Sequence, residues 1–237
     1  MSLAYSIVYS TVDYSLTIPS FRKSKIQIVL ICIVVLLGFS IYSGQFPKTS
    51  ILFEISKPVR YFFYELILKF GFSSTVNGII VNNIFSVFLP LTILLFFSSS
   101  AKEFFVDRID LKVLFLLFII YLPIILFSSK SLNAVINDTL IYFLIAAIPE
   151  EFLFRGLFQS RLESVSKKAI NAILIASIVF GLIHLPINIK NYGLTVGIAT
   201  CIGNNAFGGL FIGYLFYKTR SIWTVIVFHL ISGIALS

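Results

Sequence analysis

Charge is scarce in this chain. Aspartate and glutamate number 10 and lysine and arginine 18 among 237 residues, so only 12% of side chains are ionic. A soluble domain of that size could not cover its surface with so few polar groups. Cysteine is nearly missing too. Cys32 and Cys201 both fall in apolar stretches, which argues against a disulfide framework and a cysteine metal site. The net charge of +8 does not point to nucleic acid, because the basic residues are scattered through short loops. That scatter suits the positive-inside rule and contact with anionic lipid. Histidine occurs only twice, as His184 and His229, both inside apolar segments.

Long apolar runs are what the chain has in abundance, with 58% of its residues hydrophobic. The expected fold is an all-α polytopic membrane bundle of about seven transmembrane helices. The spans read as Ile26–Ser43, Gly78–Phe97, Leu111–Phe127, Ala134–Arg161, Ala169–Pro186, Gly193–Tyr217 and Ile222–Leu236. Arg22, Lys23 and Lys25 precede the first run, which is long for a signal peptide and fits a first span. Residues 51–70 mix apolar side chains with Glu54, Lys57, Arg60, Glu65 and Lys69, the pattern of an interfacial amphipathic helix. A short span there would be an eighth. With the N-terminus inside, 12 basic residues fall on the cytoplasmic side and 6 opposite, so the N-terminus is expected in the cytoplasm. The cytoplasmic set includes Arg155, Arg161 and Arg220.

Against this apolar background stands Pro149-Glu150-Glu151-x-x-x-Arg155. A carboxylate in mid-membrane costs about 2.5–3.5 kcal/mol on insertion scales, so two in a row call for a compensating structure. Successive helical residues point roughly 100° apart, so the two acids should not face one spot. Glu151 and Arg155 are four apart and can pair, which leaves Glu150 for other work as a general base. Pro149 should either kink the span or start a new helix. At ~1.5 Å per residue, Glu150, His184 and His229 all lie within the hydrocarbon core at depths that tilt could bring together.

The structural readings are weighed alongside. A Glu–Arg pair is commonly a clasp, and a lone histidine in a span often bonds a neighbouring helix. Gly193-x-x-x-Gly197 and Gly209-x-x-x-Gly213 read as close-packing faces. Asn204 and Asn205 read as a polar break or a packing bond.

In order, Glu150-Glu151-x-x-x-Arg155, Phe180-x-x-x-His184 and His229 resemble the CPBP intramembrane proteases. This family includes the CAAX prenyl endopeptidases and bacterial Abi-type immunity and processing proteins. The resemblance covers 134–237, a core of four helices, with 1–133 as an N-terminal region of three spans and the interfacial segment. It implies an intramembrane endopeptidase in a bacterial-type plasma membrane. Glu150 would activate water, His184 would hold that water, and His229 would support the oxyanion. Glu151 and Arg155 would be structural. Glu150, His184 and His229 could ligate a zinc; a metal is not taken as obligatory. The implied partners are a membrane-associated peptide or protein substrate and the lipid bilayer, in peptide maturation or bacteriocin self-immunity. One departure stands out. The family's third motif carries Asn or Asp four residues after its histidine, where this chain has Gly233. Asn204, Asn205 or Ser232 are the candidates to replace that contact. Two rival classes remain open: a non-catalytic membrane immunity or regulatory protein, which Gly233 favours, and a proton-coupled transporter, which the lack of internal repetition disfavours.

Overall fold

The computed structural model describes residues 51–88, 131–166 and 168–235, with isolated positions between 92 and 123. The first expected span, Ile26–Ser43, lies outside the described residues, as do most of the third and the far half of the second. The described residues are helical, without strands.

Helix α1, Ile51–Leu68, occupies the stretch expected to lie at the interface. Tyr61, Phe62 and Leu66 are exposed beside Lys57, Glu65 and Lys69, while Ile67 is buried. Helix α2, Ser74–Asn83, starts where the Ser73 side chain accepts from the Val76 N–H, and continues as a π-helical turn over Ile84–Phe88.

Among the described residues, three helices are long and apolar enough to cross a membrane: α3, Leu132–Glu163; α4, Ala169–Tyr192; and α5, Leu194–Thr219. A shorter helix, α6, spans Ile222–Ala235. These four follow the last four expected spans closely. On α4 the two faces are both apolar but differ in burial. Ile170, Leu174, Ile178 and Leu182 form an exposed stripe, whereas Ile173, Ala176, Ser177, Phe180 and Gly181 turn inward. A helix apolar all round with one buried face suits a bundle surrounded by lipid.

Of the two outcomes expected at Pro149, helix α3 excludes a new start. The backbone neither breaks nor restarts there, with Ala147 at φ −61, ψ −46 and Phe152 at φ −60, ψ −46. Instead π-helical turns flank the acidic pair, at Phe143–Ala147 and Phe152–Gln159. The Ile148 N–H reaches back to the Phe143 carbonyl. The Leu144 carbonyl therefore looks to residue 149, and proline has no N–H to offer. Asn83 Nδ2 from α2 takes that carbonyl at 2.9 Å. Proline's missing donor is thus supplied from another helix.

Small residues let α5 close on α4. A Cβ on Gly197 would lie 2.7 Å from the Ile189 backbone, and one on Gly209 would lie 3.3 Å from Ser177. The Gly209 and Gly213 carbonyls accept from Arg155 Nη2 at 3.2 Å and from Gln159 Nε2 at 2.8 Å. One four-residue step on α3 therefore meets one four-residue step on α5. Gly193 plays no packing part: it has φ 79 and links α4 to α5.

The bundle also revises the charge count. Arg155, Arg161 and Arg220 are buried rather than placed in loops. Arg220 pairs with Glu163 and lies over the Tyr217 ring. These three cations are part of the helix packing and say nothing about orientation.

Gly197→Ala should lower stability by about 1–3 kcal/mol, because its methyl meets backbone that cannot step aside. Gly208→Ala, with open space around it, should be neutral or slightly stabilising. Thermal unfolding of the two variants in detergent separates these effects.

Candidate active site

Among the described residues, the acidic pair lies within a long, nearly continuous buried stretch. Phe152, Leu153, Phe154 and Leu157 of α3 are buried against Phe180 of α4. Next to them, Ala147 packs with Ile212, Leu215 and Phe216 of α5 and Ile222, Val225 and Ile226 of α6. Glu150, Glu151, Arg155 and His229 are all buried between these clusters, and His184 is half-buried.

Glu151 and Arg155 pair as their spacing requires. Arg155 Nη1 donates to Glu151 Oε1 at 3.3 Å. Arg155 Nε lies 3.2 Å from Oε2, an ion-pair contact without hydrogen-bond geometry. The guanidinium also sits 4.8 Å over the Phe180 ring. Glu151 has a second partner that the spacing did not disclose. His229 Nδ1 donates to its Oε1 at 2.6 Å. That bond sets the ring, so Nε2 is the nitrogen turned toward Glu150, 3.9 Å from its Oε2. The two carboxylates point apart, as helix geometry demands, yet His229 fills the gap and presents one nitrogen to each.

His184 approaches Glu150 from the other side, with Nε2 3.7 Å from Oε1. Its Nδ1 donates to the Phe180 carbonyl one turn back at 2.7 Å. This bond fixes the tautomer and leaves the Nε2 lone pair facing the carboxylate. Phe180 serves the site twice. Its carbonyl orients His184, and its ring packs against His184 at 4.7 Å, Phe154 at 4.9 Å and His229 at 6.4 Å.

Glu150, His184 and His229 are therefore gathered in one place, from three different helices. The other named polar residues are engaged elsewhere. Asn205 Oδ1 accepts from Asn188 at 2.9 Å, joining α5 to α4. Asn204 is exposed. The Ser232 hydroxyl donates to the His229 carbonyl at 2.9 Å. The polar side chain that does reach the His229 ring is Tyr142, whose hydroxyl is 3.1 Å from Nε2. As one of 11 tyrosines, standing 87 positions before His229, it carries no sequence signal.

A zinc site needs several donors about 2 Å from one point. Among the described residues no group of three or more His, Cys, Asp or Glu is arranged to hold a metal ion. His229 Nε2 is instead within bonding distance of the Tyr142 hydroxyl.

Residues 132–234 match the family model for type II CAAX prenyl endopeptidases, Rce1-like. Over that stretch the chain is similar to the Rce1-like family. The matched stretch contains α3, α4 and α5 whole and all but the last residue of α6, hence every group of the site. The Rce1-like family is a protease family, which supports a peptide hydrolase in general. No curated protein and no solved structure matches the chain.

Arg155→Leu would leave Glu151 charged and half-paired. It should cost about 3–5 kcal/mol. Adding Glu151→Gln should recover part of that loss, and a double-mutant cycle of unfolding free energies measures the coupling.

Proposed function

We propose that the chain is an intramembrane endopeptidase in which Glu150 activates the attacking water. The observation that carries this reading is the placement of one buried carboxylate between two oriented imidazoles, at 3.7 and 3.9 Å. Glu150 Oε1 and His184 Nε2 are both acceptors, close enough for one water lying beside them to donate to each at ~2.8 Å. A water held by both its hydrogens turns a lone pair outward, toward a substrate carbonyl.

The proton bookkeeping closes on Glu150. It takes a proton from water as the oxygen bonds to the carbonyl carbon, and the carbonyl electron pair moves onto oxygen. His229 supports the resulting oxyanion through an Nε2–H when its ring is doubly protonated, a state the Glu151 carboxylate stabilises. Glu150 then passes its proton to the departing amine nitrogen, the C–N bond breaks, and the oxyanion collapses to a carboxyl group. Glu151 and Arg155 position His229 and touch no reacting atom.

A membrane-associated peptide or a short transmembrane segment fits a site buried among apolar helices, with entry from the cytoplasmic side or laterally between helices. Maturation of a peptide precursor, or cleavage that protects against a bacteriocin, are the roles this substrate class supports. A purely binding role was favoured by the missing side chain at Gly233. That support weakens, because the Tyr142 hydroxyl stands near residue 233.

The test uses purified protein in liposomes with a panel of quenched-fluorescent, membrane-tethered peptides. Glu150→Gln should abolish cleavage, and His184→Phe should reduce it by about 10²–10⁴, the range for a positioned proton-transfer partner. Wild-type cleavage should survive a zinc chelator. Cleavage that persists in Glu150→Gln would sink the reading, and loss with chelator would make the enzyme metal-dependent.

A further inference from the structure

Tyr142 has no part in the mechanism above, yet its position is tightly specified. It ends the first α-helical segment of α3, directly before the π turn Phe143–Ala147. Its ring meets His229 edge-on, with centroids 5.8 Å apart and planes at 77°. It also lies over Gly233, one turn after His229. A Cβ on residue 233 would clash with the edge of the phenol ring and stand 2.5 Å from its oxygen. A side chain at 233 and the phenol of Tyr142 thus compete for the same space, and here the phenol occupies it.

The hydrogen-bond inventory gives that phenol a definite task. His229 Nδ1 is committed to Glu151, so only Nε2 faces Tyr142. When the imidazole holds one proton, Nε2 accepts from the Tyr142 O–H. When it holds two, Nε2 no longer accepts, its N–H is available to the oxyanion, and the phenolic proton is free to turn to that same group. The same Nε2 is 3.9 Å from the Glu150 carboxylate, so that group would stand beside the activated water.

We propose that Tyr142 is a further catalytic residue, whose O–H donates to the oxyanion of the tetrahedral intermediate from the space that Gly233 leaves open. This rests on the endopeptidase reading of the same site. The phenol stays protonated throughout and forms no covalent bond. The water proton still travels through Glu150, and Tyr142 adds only a donor where negative charge develops.

The experiment compares wild type, Glu150→Gln and Tyr142→Phe as full chains in liposomes, with the same peptide panel. Tyr142→Phe removes one oxygen and keeps the ring. It should lower kcat by about 10²–10³, with little change in KM and an unchanged unfolding midpoint. Two further variants guard against a merely structural effect. Gly233→Asn should lose activity, because the amide and the phenol cannot both fit. Tyr142→Ala combined with Gly233→Asn should be more active than either single variant, since the amide then has both the space and the donor. If Tyr142→Phe cleaves at the wild-type rate while Glu150→Gln does not cleave, Tyr142 is not a catalytic donor and the endopeptidase reading stands. A double variant no better than Tyr142→Ala also overturns the role of Tyr142. A wild type that cleaves nothing, or whose cleavage survives Glu150→Gln, overturns both.

Discussion

A guanidinium cannot shed its charge, so once buried it must be surrounded by acceptors. Arg155 is 1% exposed, and the organisation of the domain follows from how it is satisfied. It takes the Glu151 carboxylate on its own helix and the Gly209 carbonyl on α5, and rests on the Phe180 ring of α4. Glu151 then holds His229 on α6. Four helices are tied through one ion pair. Its net contribution to stability is modest, because desolvation offsets most of the attraction. Its value lies in orientation: the pair fixes which imidazole nitrogen faces Glu150. A hydrophobic substitute could fill the volume but could not aim the ring.

A second polar rung lies one turn further along α3. Gln159 donates both to Glu163 and to the Gly213 carbonyl, and Glu163 receives Arg220 from the end of α5. With Arg155 on Gly209, this makes two successive contacts at the same register between α3 and α5. A slip by one residue would break both rungs. In an environment where apolar contact gives little preference between helix registers, such hydrogen bonds define the register. They hold the chemistry still at the neighbouring turn.

Much of this was legible in the sequence, and the remainder was hidden for physical reasons. The four apolar helices of 132–235 follow hydropathy, since membrane depth sets their length. The Glu151–Arg155 pair follows from helical spacing, because both partners share one helix. The hydrogen bond from His229 to Glu151 spans 78 positions, and no local pattern announces it. Tyr142 is invisible for the same reason. Gly233 is the instructive case. Read along the chain it is a missing donor, whereas in space it is room for another residue's donor. Pro149 left a kink or a new start open, and only the new start is excluded. The rule that proline breaks a helix assumes α geometry throughout, and a π turn with a borrowed Asn83 amide relaxes that assumption.

The π turn at Phe143–Ala147 has one more consequence, which concerns phase. Tyr142 and Glu150 are eight residues apart, and at ~100° per residue an unbroken α-helix would set them about 80° out of alignment. A π turn behaves as one residue inserted into an α-helix. The eight-residue step then advances like seven, and the misalignment falls to about 20° on the other side. The phenol and the carboxylate come to lie on one stripe of α3, two turns apart, where His229 can touch both. The wide turn acts as a clutch between two segments of a single helix, and its extra residue sets the angle at which they engage.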